Sequence, residues 1–273
     1  MGKSGIKKRF RESAFFKVIK VIRNNLGVYF YTLVFDFIFL GLIFFIGKYV
    51  GSFIPSDAQQ LMDYFKSKAN LLFFVIIYPV VYYLFVIFVY SITKLSVLNL
   101  VKAMHEKNKI SLKGIGKFYV LNIIIFIIFF FSGVILMATL AFIFKKEFMS
   151  YATLVLAIPF LLLLYSVINI SHTMFVKGFR EKVARRSFKI TVYKIKSYGM
   201  FLAWDIVLIL VYLVVYNMIN LLFKFFILTS SEMINSYGGV YVKTANIISL
   251  IFVYLIIAFN RVYFYERIDK SVL

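Results

Sequence analysis

Two aspartates stand alone inside apolar runs, Asp36 in YTLVFDFIFLG and Asp205 in MFLAWDIVLIL. An ionisable side chain in such surroundings is costly, and by default it marks a pairing partner or a pathway. Asn122, in YVLNIII, holds a similar place in a third run. The groups that could answer these three lie in the alternate apolar runs: Lys94, Asn99, Asn169, His172, Asn260 and Arg261. Two kinds of chemistry are open to the set. Polar side chains on neighbouring helices can hydrogen-bond across the gap and hold a bundle together, at roughly 0.6 kcal/mol each. Alternatively, carboxylates can line a route for a proton or another solute. Structural pairing is the simpler expectation, and a pathway through Asp36 and Asp205 is the alternative.

The other titratable residues form no catalytic pattern. His105 and His172 occur in different helix ends, without an HExxH arrangement or a close carboxylate pair beside either. The five aspartates, Asp36, Asp57, Asp63, Asp205 and Asp269, are scattered along the chain, whereas general acid-base chemistry needs titratable groups held together. The glycines of GIG, Gly114 and Gly116, lack the strand-turn-helix setting of a phosphate loop. With no cysteine, disulfides, thiolate metal sites and cysteine nucleophiles are excluded. No enzyme activity, metal or cofactor is expected.

The elements that must position these residues follow from hydropathy. With 63% apolar and 20% aromatic residues, the chain exceeds the usual share of a soluble domain. A membrane-spanning helix needs about 20 predominantly apolar residues, and six stretches qualify: 27–50, 71–99, 117–143, 150–176, 198–228 and 244–264. Runs such as LNIIIFIIFFFSGVILMATLAFIF lack the alternation of a membrane β-barrel. The first apolar run is full-length and no small-residue cleavage site follows it, so no cleaved signal peptide is expected. The expected fold is all-α: one polytopic integral membrane domain, 1–273, of six transmembrane helices, with a basic amphipathic segment at 1–26 and no soluble domain. Pro79 and Pro159 fall inside the second and fourth spans, where the missing amide donor bends a helix.

Charge orients this bundle. Eight basic residues precede the first span, six lie in 94–117, eight in 177–196 and three at the C-terminal end. The alternate segments hold only seven: Lys48, Lys66, Lys68, Lys145, Lys146, Lys224 and Lys243. Basic residues near span ends are retained in the cytoplasm, so both termini are expected there, in the cell membrane. The net charge of +21 is on this view a topology signal; without base-reading or RNA-stacking motifs it does not predict nucleic-acid binding.

A repeat runs through the same framework. YSITKLSVLNLVKAMHEK, Tyr90 to Lys107, aligns without gaps to YSVINISHTMFVKGFREK, Tyr165 to Lys182, with seven identities in eighteen positions. Both copies close an even-numbered span, so the repeating unit is a helical hairpin and successive units are parallel. The sixth span ends in YLIIAFNRVYFYERIDK, which keeps only the aromatic and charged character. Three parallel hairpins are expected, with both full copies helical through Lys107 and Lys182, pairing Lys102 with Glu106 and Lys177 with Glu181 at one-turn spacing.

Each hairpin is preceded by a short basic segment: AFFKVIKV, SLKGIGKF and SFKITVYK. In the first, Phe15, Val18, Ile19 and Ile22 share a helical face opposite Lys17, Lys20 and Asn24, the pattern of an interfacial helix along the inner leaflet. The later two are either such helices or ordinary basic flanks. Lys17, Lys20, Lys113, Lys117, Arg185, Arg186 and Lys189 are the candidate contacts to anionic lipid headgroups, each contributing about 1 kcal/mol near a charged surface. This layout resembles the six-span membrane domain attached to glycerophosphodiester phosphodiesterases and related prokaryotic families. The catalytic phosphodiesterase domain of those enzymes does not occur in this sequence, so the resemblance implies an accessory membrane role, with lipids and an unidentified membrane protein as partners, and carries over no catalytic residue.

Overall fold

The computed structural model describes residues 14–52, 67–106, 113–179, 182–227 and 231–268. Regular structure among them is helical, without strands: α1 (Ala14–Asn24), α2 (Leu26–Gly51), α3 (Lys68–Glu106), α4 (Ile115–Ile143), α5 (Lys146–Val176), α6 (Val183–Tyr193), α7 (Ile195–Tyr198), α8 (Met200–Ile227) and α9 (Ser231–Arg267). Six of these, α2 to α5, α8 and α9, are long and apolar enough to cross a membrane. The chain is therefore an all-helical, multi-pass membrane protein, because in lipid a helix satisfies its backbone polar groups within itself. Pro79 lies within α3 and Pro159 within α5. All of the spanning helices but α8 overrun the apolar stretches, and α3 continues seven residues past the expected end at 99.

The chain divides into two compact units, Phe30–Thr191 and Met1–Tyr29 with Val192–Leu273. In the first, α3, α4 and α5 pack on one another. α4 runs antiparallel to α5, as Phe118 against Phe175 and Phe129 against Phe160 require. Along α4 the buried positions are Phe118, Leu121, Asn122, Ile125 and Phe129, a single stripe at helical spacing, and Leu140 near the other end. Burial along α3 and α5 changes with length instead. From Leu72 to Phe88 on α3, and from Phe148 to Leu162 on α5, large apolar side chains are exposed. Beyond these bands Leu95, Val97, Leu98, Leu100, Val101 and Met104 of α3, and Val167, Ile170, Met174 and Val176 of α5, are buried. The packed core thus lies at the end where α3 and α5 finish and α4 begins.

That end corrects one expectation. The two repeat copies do not share a conformation: α3 continues helical through Glu106, whereas α5 stops at Val176. The stop is a Schellman motif, in which Phe179 N–H donates to Met174 O at 3.1 Å and Gly178 N–H to Phe175 O at 3.1 Å. Gly178 takes φ +92°, a left-handed conformation that costs an L-residue about 1–2 kcal/mol. The aligned position in the first copy is Ala103, which keeps its helix running. One glycine therefore ends the likeness, and the repeat no longer supports a shared geometry past this point. Lys102 pairs with Glu106 at 3.6 Å as the spacing requires, and its Nζ also lies 3.4 Å from Val176 O, closing the carbonyl end of α5 with positive charge. Lys107 and Glu181 lie outside the described residues.

In the second unit α8 and α9 form an antiparallel hairpin, in which Tyr212 stacks on Phe252 at 4.4 Å and its hydroxyl bonds Ser249. Tyr198, Phe201 and Phe264 form a buried aromatic cluster at one end. α1 is helical as its periodicity predicts, but protein covers part of its apolar face. Phe15 stacks on Trp204 at 3.9 Å and lies 5.2 Å from Phe259, and Val18 is fully buried. A 3, 4, 7 spacing identifies an apolar face without specifying whether lipid or another helix covers it.

Candidate functional site

Polar groups on three helices of the first unit meet in one chain of hydrogen bonds. Ser91 of α3 donates its hydroxyl to Ile87 O at 2.7 Å. Asn122 of α4 donates its amide nitrogen to Ser91 Oγ at 2.8 Å. The free direction of Asn122 is then its carbonyl oxygen, which lies 2.7 Å from Nε2 of His172 on α5. Because Oδ1 only accepts, that imidazole nitrogen carries the proton. The three residues are at most 1% exposed, with Phe118 at 4.8 Å and Tyr90 at 6.1 Å from the imidazole. Asn122 reaches both neighbours because it sits in the middle of the buried stripe of α4.

The second unit holds a simpler bridge. Asn260 of α9 donates its amide to Asp205 Oδ2 of α8 at 2.8 Å, joining an odd-numbered to an even-numbered span as the sequence suggests. Asp205 Oδ1 is buried, and among the described residues no group donates a hydrogen bond to it.

The remaining sequence candidates lie outside these two bridges. Asp36 is buried on α2 one turn after Thr32 and Leu33, which are also buried. Lys94 and Arg261 are buried, while Asn99 is half-buried. Asn169 donates to Tyr165 O of its own helix at 2.9 Å, so this amide hydrogen is turned back rather than offered to another span. His105 similarly meets Val101 O within α3 at 3.0 Å. Of the headgroup candidates, Lys17 reaches Glu266 at 3.9 Å across α1 and α9; Lys20, Lys113, Lys117, Arg185, Arg186 and Lys189 are exposed. Lys113 stands in a turn that leads directly into α4, whereas the third basic segment forms the separate helix α6.

Sequence reasoning singled out Asn122 and His172 but missed the serine that joins them to α3. A signal was present, since Ser91 and Ser166 occupy the same position in the two repeat copies and both are buried. Chemically, Ser91, Asn122 and His172 form a directional chain anchored on a helix carbonyl. It contains no carboxylate, and among the described residues no three His, Cys, Asp or Glu side chains gather to hold a metal. Comparison with protein-family models, with curated proteins and with solved structures finds no match.

Proposed function

We propose that this chain is a non-catalytic accessory bundle of the cell membrane, with both termini cytoplasmic, that organises or accompanies other components at the inner leaflet. The observation that carries the reading is the double engagement of Asn122, bonded at 2.8 Å to α3 and at 2.7 Å to α5. Contacts this short leave no water between partners, so the polar groups act as ties between helices. The distribution of basic residues supports the orientation, and the resemblance to phosphodiesterase-attached membrane domains fits an accessory role.

A second reading, a small transporter or channel with Asp36 and Asp205 on its path, draws on the buried Oδ1 of Asp205, which keeps acceptor capacity for a proton or cation. Proteoliposomes containing a pH-sensitive dye separate the two. The accessory reading predicts proton flux equal to that of empty vesicles for the native chain and for Asp36→Asn and Asp205→Asn. Flux in the native chain that either substitution abolishes would establish the transporter instead. Reporter fusions after Lys66 and Lys113 test the orientation: the first should report outside and the second cytoplasm.

A further inference from the structure

The hydrocarbon layer can be located on the first unit from its far end. About 20 residues cross it. Counted from Asn70, where the α3 span begins, this reaches Tyr90. Counted from Glu147 along α5 it reaches Val167, and counted back from Ile143 along α4 it reaches Ile123. These endpoints lie at one level within about two turns, since Tyr90 packs on Phe126 at 5.8 Å and on His172 at 6.1 Å, while Asn122 bonds His172. The exposed apolar bands stop on the hydrocarbon side of this level, at Phe88, three residues before Ser91, on α3 and at Leu162, ten residues before His172, on α5. The boundary of the hydrocarbon therefore runs through the Ser91, Asn122 and His172 chain, and the packed ends of α3 and α5 project beyond it.

α6 is fixed at this boundary. Its Phe188 stacks on Phe129 of α4 at 5.4 Å, and Phe129 lies six residues, or about 9 Å of helix rise, on the hydrocarbon side of Ile123. Val183, Ser187, Ile190 and Thr191 of α6 are buried. Arg185, Arg186 and Lys189 are exposed, and at about 100° per residue they occupy the opposite arc of the helix. Its sequence, VARRSFKITVY, has no acidic residue to neutralise them.

We propose that α6 is an anionic-phospholipid binding element, whose Arg185, Arg186 and Lys189 take lipid phosphates at the rim of the first unit while Phe188 anchors the helix at the edge of the acyl chains. Long basic side chains on a helix held at this depth reach outward to phosphate. The three cations lie within one turn on an open convex face, which fits a plane of headgroups better than a single enclosed anion. The proposal rests on the accessory-bundle reading and names its lipid partner.

The test is thermal unfolding of the full chain in neutral detergent, titrated with phosphatidylglycerol, phosphatidylcholine or inorganic phosphate. Phosphatidylglycerol should raise the midpoint and the other two should not. At about fivefold per basic residue, R185Q/R186Q/K189Q should need on the order of a hundredfold more phosphatidylglycerol for half the effect, while K145Q at the opposite end of the spans should match the native chain. An unchanged response in the triple variant, or an equal shift with inorganic phosphate, overturns the proposal. If the triple variant does not fold, depth decides: a nitroxide on K189C should lie within a few ångströms of the lipid phosphate, and one on K113C in water. A K189C label in bulk water, or at the bilayer centre, overturns it equally. Detergent titration is blind to sidedness, so reversed reporter fusions would defeat the orientation without touching the lipid site, and a flat titration would do the converse.

Discussion

Replacing Asn122 by leucine should expose how much the buried hydrogen-bond chain contributes. The substitution removes two interhelical bonds at once, those to Ser91 and His172. Each is worth roughly 0.6 kcal/mol, up to about 1.7, in a membrane bundle. It also strands Nε2–H of His172, for which an unsatisfied buried donor costs about 1–3 kcal/mol. The expected loss is therefore about 2–4 kcal/mol, read as a lower unfolding midpoint in a graded denaturing-detergent titration. Leucine is close in size to asparagine, so cavity formation adds little. His172→Phe in the same background makes the measurement specific. With the imidazole gone there is no donor left to strand, and the double variant should be more stable than the sum of the two single losses predicts, by about 1 kcal/mol or more. Additivity within about 0.5 kcal/mol would show that the residues do not interact, and the reasoning from the chain would be wrong.

Gly178→Ala should lower stability by about 1–2 kcal/mol, because φ +92° is unfavourable with a Cβ; Gly41→Ala, where the added carbon meets open space, should stabilise the α2 helix by roughly 0.5–1 kcal/mol, and equal effects at both sites would remove the Schellman argument. Phe15→Ala should free the face of the sole tryptophan, Trp204, so that its emission shifts in the folded state; an unchanged spectrum would mean that α1 does not dock on α8. Asp205→Leu should cost about 1–3 kcal/mol by removing the carboxylate that accepts from the Asn260 amide, whereas Asp205→Asn keeps an acceptor in place and should cost less than half as much in the same titration.

The six spans were legible because length and apolarity alone decide them. The partners within the spans were not, and the reason is geometric. Asn122 and His172 are fifty residues apart, and whether they meet depends on the rotation of α4 and α5 about their axes, which a nearly all-apolar helix does not encode in its periodicity. The pairing of Asp205 with an even-numbered span was foreseeable from cost, yet Asn260 and Arg261 were equally good candidates until the hairpin register was known. The repeat misled at Gly178 because a comparison of side chains overlooks the backbone conformation that a single glycine makes cheap. For α1, hydropathy could not distinguish a lipid-covered face from one covered by Trp204 and Phe259. The depth of α6 is carried by one contact, Phe188 on Phe129, which no local pattern announces.

Whether the intramembrane polar groups act as ties or as a path is tested most directly by water access. The native chain contains no cysteine, so single cysteines at positions 36, 122 and 205 can be probed in sealed vesicles with a membrane-impermeant thiol reagent applied from either side. With Asn122 1% and Asp36 7% exposed and Asp205 against Asn260, the tie account predicts no labelling at the three positions from either face until the protein is unfolded. Labelling of positions 36 and 205 in the folded protein, from one face or alternately from both, would contradict it and identify a water-filled route through the bundle.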